Sequence, residues 1–150
     1  MVNIMNKILK TFLMLTISIL MFGCSGTGLK NENSLLKNVN KEKGNIFVYR
    51  ERTLAGSAVL ISLHLNGKLI GTIGNGETVI GNFKEGDNTL VLDVSKKSKK
   101  ILGVVNPAFK SLIYVFEGTK TQNYFYFLNL DTNSGIILNE IDENEWKNKI

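Results

Sequence analysis

The chain is 150 residues long and carries 18 Lys and Arg against 13 Asp and Glu, with one His, one Cys and one Pro. That is the length of one ordinary domain, able to bury a core unaided, and its single cysteine excludes an internal disulfide or a cysteine-built zinc site. The formal charge of +5 is dispersed and too small to point to nucleic acid as a partner, which needs Lys and Arg clustered on one face.

The chain opens with Lys7 and Lys10, continues through an uncharged apolar run from Thr11 to Phe22, and reaches the small residue Gly23 just before Cys24. A basic stretch, an apolar stretch and a small-residue exit is the order of a secretory signal peptide. The apolar run is well short of the roughly 20 residues that cross a bilayer, so residues 1–23 are expected to be a cleaved leader. Met5 begins a complete basic segment of its own, so translation from Met5 is an alternative start. Cleavage after Gly23 leaves 127 residues with 16 basic and 13 acidic side chains, a net +3, because Lys7 and Lys10 leave and no acid does.

Met21-Phe22-Gly23-Cys24 resembles the lipobox of bacterial lipoproteins, with Gly23 and Cys24 matching and Met21 and Phe22 standing where Leu and a small residue are usual. The resemblance implies that Cys24 is the lipid attachment site and the first residue of the mature protein, giving a membrane partner through the lipid and an address in the cell envelope. Each buried acyl methylene contributes about 0.8 kcal/mol, so several chains hold a protein permanently. Ser25 stands where, in the Gram-negative sorting pattern, Asp would retain the protein at the inner membrane; the resemblance thus implies the periplasmic side of an outer membrane in such a cell.

Residues 24–43 form the lipidated cysteine and a polar Asn- and Lys-rich stretch with only Leu29, Leu35, Leu36 and Val39 as apolar points, which reads as a flexible tether. Leu35, Leu36 and Val39 could also make one helical turn that docks on the domain.

From residue 44 to 150 the texture changes to short β-branched and aromatic runs punctuated by Gly and Asn. Strands are expected over 45–50, 58–65, 68–73, 77–83, 88–94, 112–116, 122–130 and 135–141, giving a mostly β domain, a small antiparallel β-sandwich or barrel-like fold. Asn66-Gly67 between two apolar runs predicts a type I′ hairpin, with further reversals at Gly74-Asn75-Gly76 and at Lys84-Glu85-Gly86-Asp87. Asp142 with Glu145 three residues on predicts the N-cap of a short C-terminal helix, whose Trp146 reads as a packing residue that closes one end of the core.

Gly44-Asn45-Ile46-Phe47-Val48-Tyr49-Arg50, then Leu65-Asn66-Gly67-Lys68-Leu69-Ile70-Gly71, is similar to the opening of an uncharacterised bacterial lipoprotein family, domain of unknown function 2846. That family reads G-x-I-Y-V-Y-R, a strand, a (D/N)-G-K-x-(I/V)-G hairpin and a P-G-x-H turn. At the last of these this chain has Glu85-Gly86-Asp87-Asn88, so the likeness covers about residues 44 to 94. It implies a scaffold and no particular chemistry.

Candidate chemistry is sparse. His64, the sole histidine, alternates with Ile61, Leu63 and Leu65 onto the polar face of its strand, and one imidazole makes neither a zinc site nor a triad. Asp131-Thr132-Asn133-Ser134-Gly135 has calcium-loop residue types, but Ile136 occupies the position that needs glycine, so a hairpin turn is expected. Gly71, Gly74 and Gly76 do not match G-x-G-x-x-G. No cofactor and no metal ligand set is expected. Candidate interaction residues are Tyr49 and Arg50, which end the first strand, and Lys96, Lys97, Lys99 and Lys100, a run that could rest on anionic headgroups or cell-wall polyanions, or could simply be solvated. Arg50 could equally pair with a carboxylate inside the fold. These features favour a non-catalytic, membrane-tethered module that presents its β domain to an envelope protein or cell-wall partner. The alternative is a small hydrolase using Ser57 or a carboxylate pair drawn from Glu51, Glu77 and Asp93.

Overall fold

A computed structural model of the chain describes residues 26–29, 35, 39–54, 56–95, 98, 110–131 and 133–150. Eight strands are present: β1 (Gly44–Arg50), β2 (Ile61–Leu65), β3 (Lys68–Ile73), β4 (Thr78–Phe83), β5 (Gly86–Val94), β6 (Leu112–Gly118), β7 (Asn123–Asp131) and β8 (Gly135–Ile141), followed by one helix, α1 (Glu143–Lys149). Every expected strand is there, with ends moved by a few residues.

The strands form a sandwich of two four-stranded sheets, sheet A in the order β4-β1-β7-β8 and sheet B in the order β3-β2-β5-β6. The barrel-like option is thereby excluded. The sheets stay open because the short links after β3 and β4 carry the chain across the sandwich instead of extending a ladder. Hence Gly74-Asn75-Gly76 and Lys84-Glu85-Gly86 are sheet-to-sheet crossings and not the hairpin-like reversals expected. The pairings are antiparallel with one exception, β1 with β7, which is parallel. Parallel neighbours need a long crossover, and here β2 to β6 together supply it.

Side-chain alternation builds the core. Ile46 and Val48 of β1, Ile61, Leu63 and Leu65 of β2, Leu90, Leu92 and Val94 of β5, and Tyr126, Leu128 and Leu130 of β7 meet between the sheets. Each such side chain removed from water contributes about 1.5 to 3 kcal/mol before entropy is counted. One end of this layer is aromatic: Phe83 lies 5.4 Å from both Phe116 and Tyr124, and Tyr114 meets Tyr126 edge-on at 5.3 Å between ring centroids. Tyr126 is completely buried, and its Oη has no hydrogen-bond partner.

Sheet A is covered on its outer face too, which is why β1 is buried along almost its whole length. There Phe47 stacks on Phe125 at 4.8 Å, and Trp146 of α1 packs 5.4 Å from both, with Leu35 completing the cluster. A seven-residue helix is too short to persist alone, so the Trp146 contact holds it against the sheet. The Asp142 carboxylate accepts the Glu145 amide at 2.8 Å as the expected N-cap, and Lys147–Glu143 and Lys149–Glu145 pair one turn apart.

Part of the stretch read as a flexible tether is attached to the sandwich. Thr27 and Gly28 donate their amides to the Thr72 carbonyl at 2.7 and 3.1 Å, and the Thr27 hydroxyl accepts the Thr72 amide at 2.8 Å. Leu29 then exchanges two backbone bonds with Thr78, at 2.7 and 2.8 Å. Because β3 and β4 are edge strands on the same side of the sandwich, this strap closes both edges at once. Two glycines make it possible: a Cβ on Gly26 would lie 2.4 Å from Glu77 Oε2, and one on Gly28 would lie 2.7 Å from Glu77 Cβ. The predicted leader, Cys24 and the lysines Lys96, Lys97, Lys99 and Lys100 lie outside the described residues.

Candidate functional site

One pole of the sandwich gathers the ends of β1, β3, β5 and β7 and the starts of β2, β4, β6 and β8. At this pole Arg50 turns inward. It is 1% exposed, and its guanidinium donates to the carbonyls of Val59 and, at 2.6 Å, Gly56, so it pins the loop that carries the chain from sheet A to sheet B. Burial lowers the Arg50 pKa to about 10, and the neighbouring Glu77 carboxylate works against that fall. Glu77, also 1% exposed, accepts the Gly74 amide at 2.7 Å. Arg50 is thus buried away from an outside partner, against the expectation that it could serve as an interaction residue: its fork of donors is used on the Val59 carbonyl and on the Gly56 carbonyl, which also accepts the Val59 amide at 2.8 Å.

Tyr49 points the other way, half-buried on the outer face of sheet A, 6.0 Å from Phe127. Burial raises its hydroxyl pKa, Arg52 lowers it and Glu51 raises it again. It lines a cleft of about 370 Å³ with Leu29, Arg52, Lys147 and Lys149, and Lys149 Nζ sits 4.4 Å above the Phe127 ring. The cleft is basic and shallow, and both lysines are already matched to glutamates on α1.

The outer face of sheet B carries the other surface. Strand register sets His64 beside Leu69 on β3 and Val91 on β5, and sets Val91 beside Ile113 on β6. Thr89 and Val115 form the next rung. The row crossing the four strands is Leu69, His64, Val91 and Ile113, apolar on β3, β5 and β6 and interrupted by His64 on β2, with Leu69 53%, Ile113 66% and Val115 65% exposed. Beside it, Ser62, His64, Thr72 and Asp93 line a cleft of about 470 Å³ that Gly26 and Thr27 close on one side. Among the described residues no hydrogen bond joins Ser62 to His64. Ser57 is exposed on a turn, Glu51 follows β1 in the loop, Glu77 is buried, and Asp93 lies near the end of β5 on sheet B. Among the described residues no three acidic or histidine side chains form a metal-ligating group.

The apolar band escaped the sequence because Leu112-Ile113-Tyr114-Val115-Phe116 is apolar at every position, so alternation cannot tell its inward from its outward side chains. An uninterrupted run in an otherwise alternating antiparallel sheet was the available signal.

No family model and no curated protein matches the chain. Among solved structures it is similar to the NMR structure of a protein from Eubacterium rectale, at 12% identity over 67% of this chain and 89% of that chain, with a TM-score of 0.41.

Proposed function

We propose that the protein is a cell-envelope lipoprotein, anchored through acyl chains on Cys24, whose β-sandwich is a non-catalytic module that binds or positions an envelope partner. The observation that carries this reading is the sole cysteine, placed directly after Gly23 where a basic segment and an apolar run end. The likeness of residues 44 to 94 to an uncharacterised lipoprotein family agrees with it. Exposed Ile113 and Val115 on β6, with Val91 beside Ile113, support a binding role for the domain, since contiguous exposed apolar side chains mark interaction surfaces. In a Gram-negative cell the residue after the cysteine, Ser25, favours the outer membrane.

Metabolic labelling with palmitate tests the anchor. The wild type takes up label and fractionates with membranes, whereas Cys24→Ser takes up none; equal labelling of the two removes the proposal. A photo-crosslinker at Val115 tests the module, with a discrete envelope adduct expected there and none from the same group at Glu140.

A further inference from the structure

We propose that the pole bearing Arg50 and Glu77 lies against the bilayer, with Leu54 inserted at the headgroup boundary and Arg52 beside it. This inference rests on the lipid-anchor reading and adds to it the orientation of the domain and a second membrane contact. Three observations meet at this pole.

The first is the reach of the anchor. Thr27, Gly28 and Leu29 are bonded to β3 and β4, so only two residues, Ser25 and Gly26, stand between the lipid-bearing Cys24 and these bonds. Two residues span at most about 7 Å. With so short a link, the side of the domain next to Gly26 cannot swing away from the membrane surface. Gly26 itself abuts Gly74, and a Cβ on Gly26 would lie 2.7 Å from the Gly74 amide nitrogen, which places the exit of the lipid at the Gly74–Glu77 turn.

The second is Leu54, the most exposed large apolar side chain among the described residues, at 96%. Its loop is fastened to that same turn: the Thr53 amide donates to Asn75 Oδ1, and Asn75 Nδ2 donates to the Thr53 carbonyl, both at 2.9 Å. A wholly exposed leucine held on a fixed loop next to a lipid anchor suits the headgroup and acyl boundary, where apolar side chains bind peripheral proteins.

The third is charge. Arg52 is exposed at this turn, its guanidinium next to Gly76, and it suits anionic headgroups. The link from β5 to β6 also starts here, as the Ser95 amide bonds the Leu60 carbonyl and Ser98 Oγ accepts the Leu60 amide at 2.7 Å. In sequence, Lys97 and Lys99 adjoin Ser98.

The test uses the mature, acylated protein in vesicles of phosphatidylethanolamine and phosphatidylglycerol. Since Cys24 is the only native cysteine and its sulfur carries lipid, a fluorophore can be placed on Leu54→Cys or, at the opposite pole, on Lys84→Cys. The expected result is several-fold weaker quenching by aqueous iodide at position 54 than at 84, together with quenching at 54 by brominated acyl chains. Equal access of iodide to both positions overturns the inference. Shielding of position 54 that needs added envelope protein, and is absent with vesicles alone, assigns Leu54 to a protein and also overturns it. Intact mass separates the two layers: a protein without acyl chains removes the anchor reading and this inference with it, whereas an acylated protein open to iodide at position 54 removes this inference alone.

Discussion

Arg50 and Glu77 are buried side by side at the end of β1, each 1% exposed, and the Arg50 amide donates to the Glu77 carbonyl at 3.0 Å. The Glu77 carboxylate opposes the lowering of the Arg50 pKa that burial causes, so it supports the charge of Arg50. Glu77→Gln keeps the shape and the acceptor for the Gly74 amide but removes the charge. Removing a nearby opposite charge from a buried charged group costs a few kcal/mol, up to about 3 to 5 where the two form a tight pair. Urea unfolding of this variant is expected to give a free energy lower by about 2 to 3 kcal/mol, seen as a lower midpoint at unchanged slope; an unmoved midpoint shows that the carbonyls of Val59 and Gly56 satisfy Arg50 by themselves.

Tyr126 is a case of the opposite sign. Its hydroxyl is buried with no partner, and an unsatisfied buried polar group costs about 1 to 3 kcal/mol. Tyr126→Phe is therefore expected to stabilise the domain by about 1 kcal/mol, allowing for partial relaxation around the hydroxyl. The pH dependence follows from the direction of the shift. Burial pushes the Tyr126 pKa far above its ordinary 10.0. Above pH 10 the unfolded chain gives up this proton while the folded chain keeps it, so stability falls as the solution becomes more alkaline. Melting temperatures on either side of pH 10 should diverge less in the Phe variant than in the wild type.

At the β7–β8 hairpin, Asp131 Oδ1 accepts the amides of Asn133 and Ser134 at 2.8 and 2.6 Å. Those bonds favour the carboxylate and hold its pKa below the ordinary 3.8, the Ser134 amide contributing most. The stabilisation is complete above pH 3.8 and is lost as the pH falls through the lower folded value. A carboxyl carbon titration followed by NMR should give a midpoint for Asp131 under 3.8. In Asp131→Asn the acceptor stays and this part of the acid sensitivity disappears.

The β2–β3 turn has φ of 51° at Asn66 and 77° at Gly67, the left-handed values a type I′ turn needs. A Cβ on Gly67 would meet nothing within 4 Å, so the cost of substitution is backbone strain alone. Gly67→Val is expected to cost about 1 to 2 kcal/mol. Gly67→Asn, which tolerates the same φ, should recover most of it, and thermal melts of the pair separate turn strain from lost packing.

The strands were legible because Ile61-Ser62-Leu63-His64-Leu65 and its neighbours alternate cleanly, and because Asn66-Gly67 names its own turn. Their partners were less so. Nothing local in Gly44–Arg50 says that its two neighbours are β4 and β7, since pairing across a long separation is decided by the whole core. The strap was hidden for a related reason. Gly26 and Gly28 look like spacer residues until Glu77 is seen to occupy the space a side chain would take. Arg50 was read as either a surface donor or an internal partner; only three-dimensional proximity to the Gly56 and Val59 carbonyls decides between them.

The parallel ladder between β1 and β7 has a consequence in time. Asn45 hydrogen-bonds Asn123 across 78 residues, so the centre of sheet A closes only when most of the chain is present. β2, β3 and β5 pair over much shorter separations and can assemble first. Non-local pairing is slow. In a chain synthesised N-terminus first, β1 emerges early, with β4 the earlier of its two ladder partners to follow. During that interval Ile46, Phe47 and Val48 stay without the β7 side of their burial, so the apolar surface of the first strand is open until most of the chain has arrived.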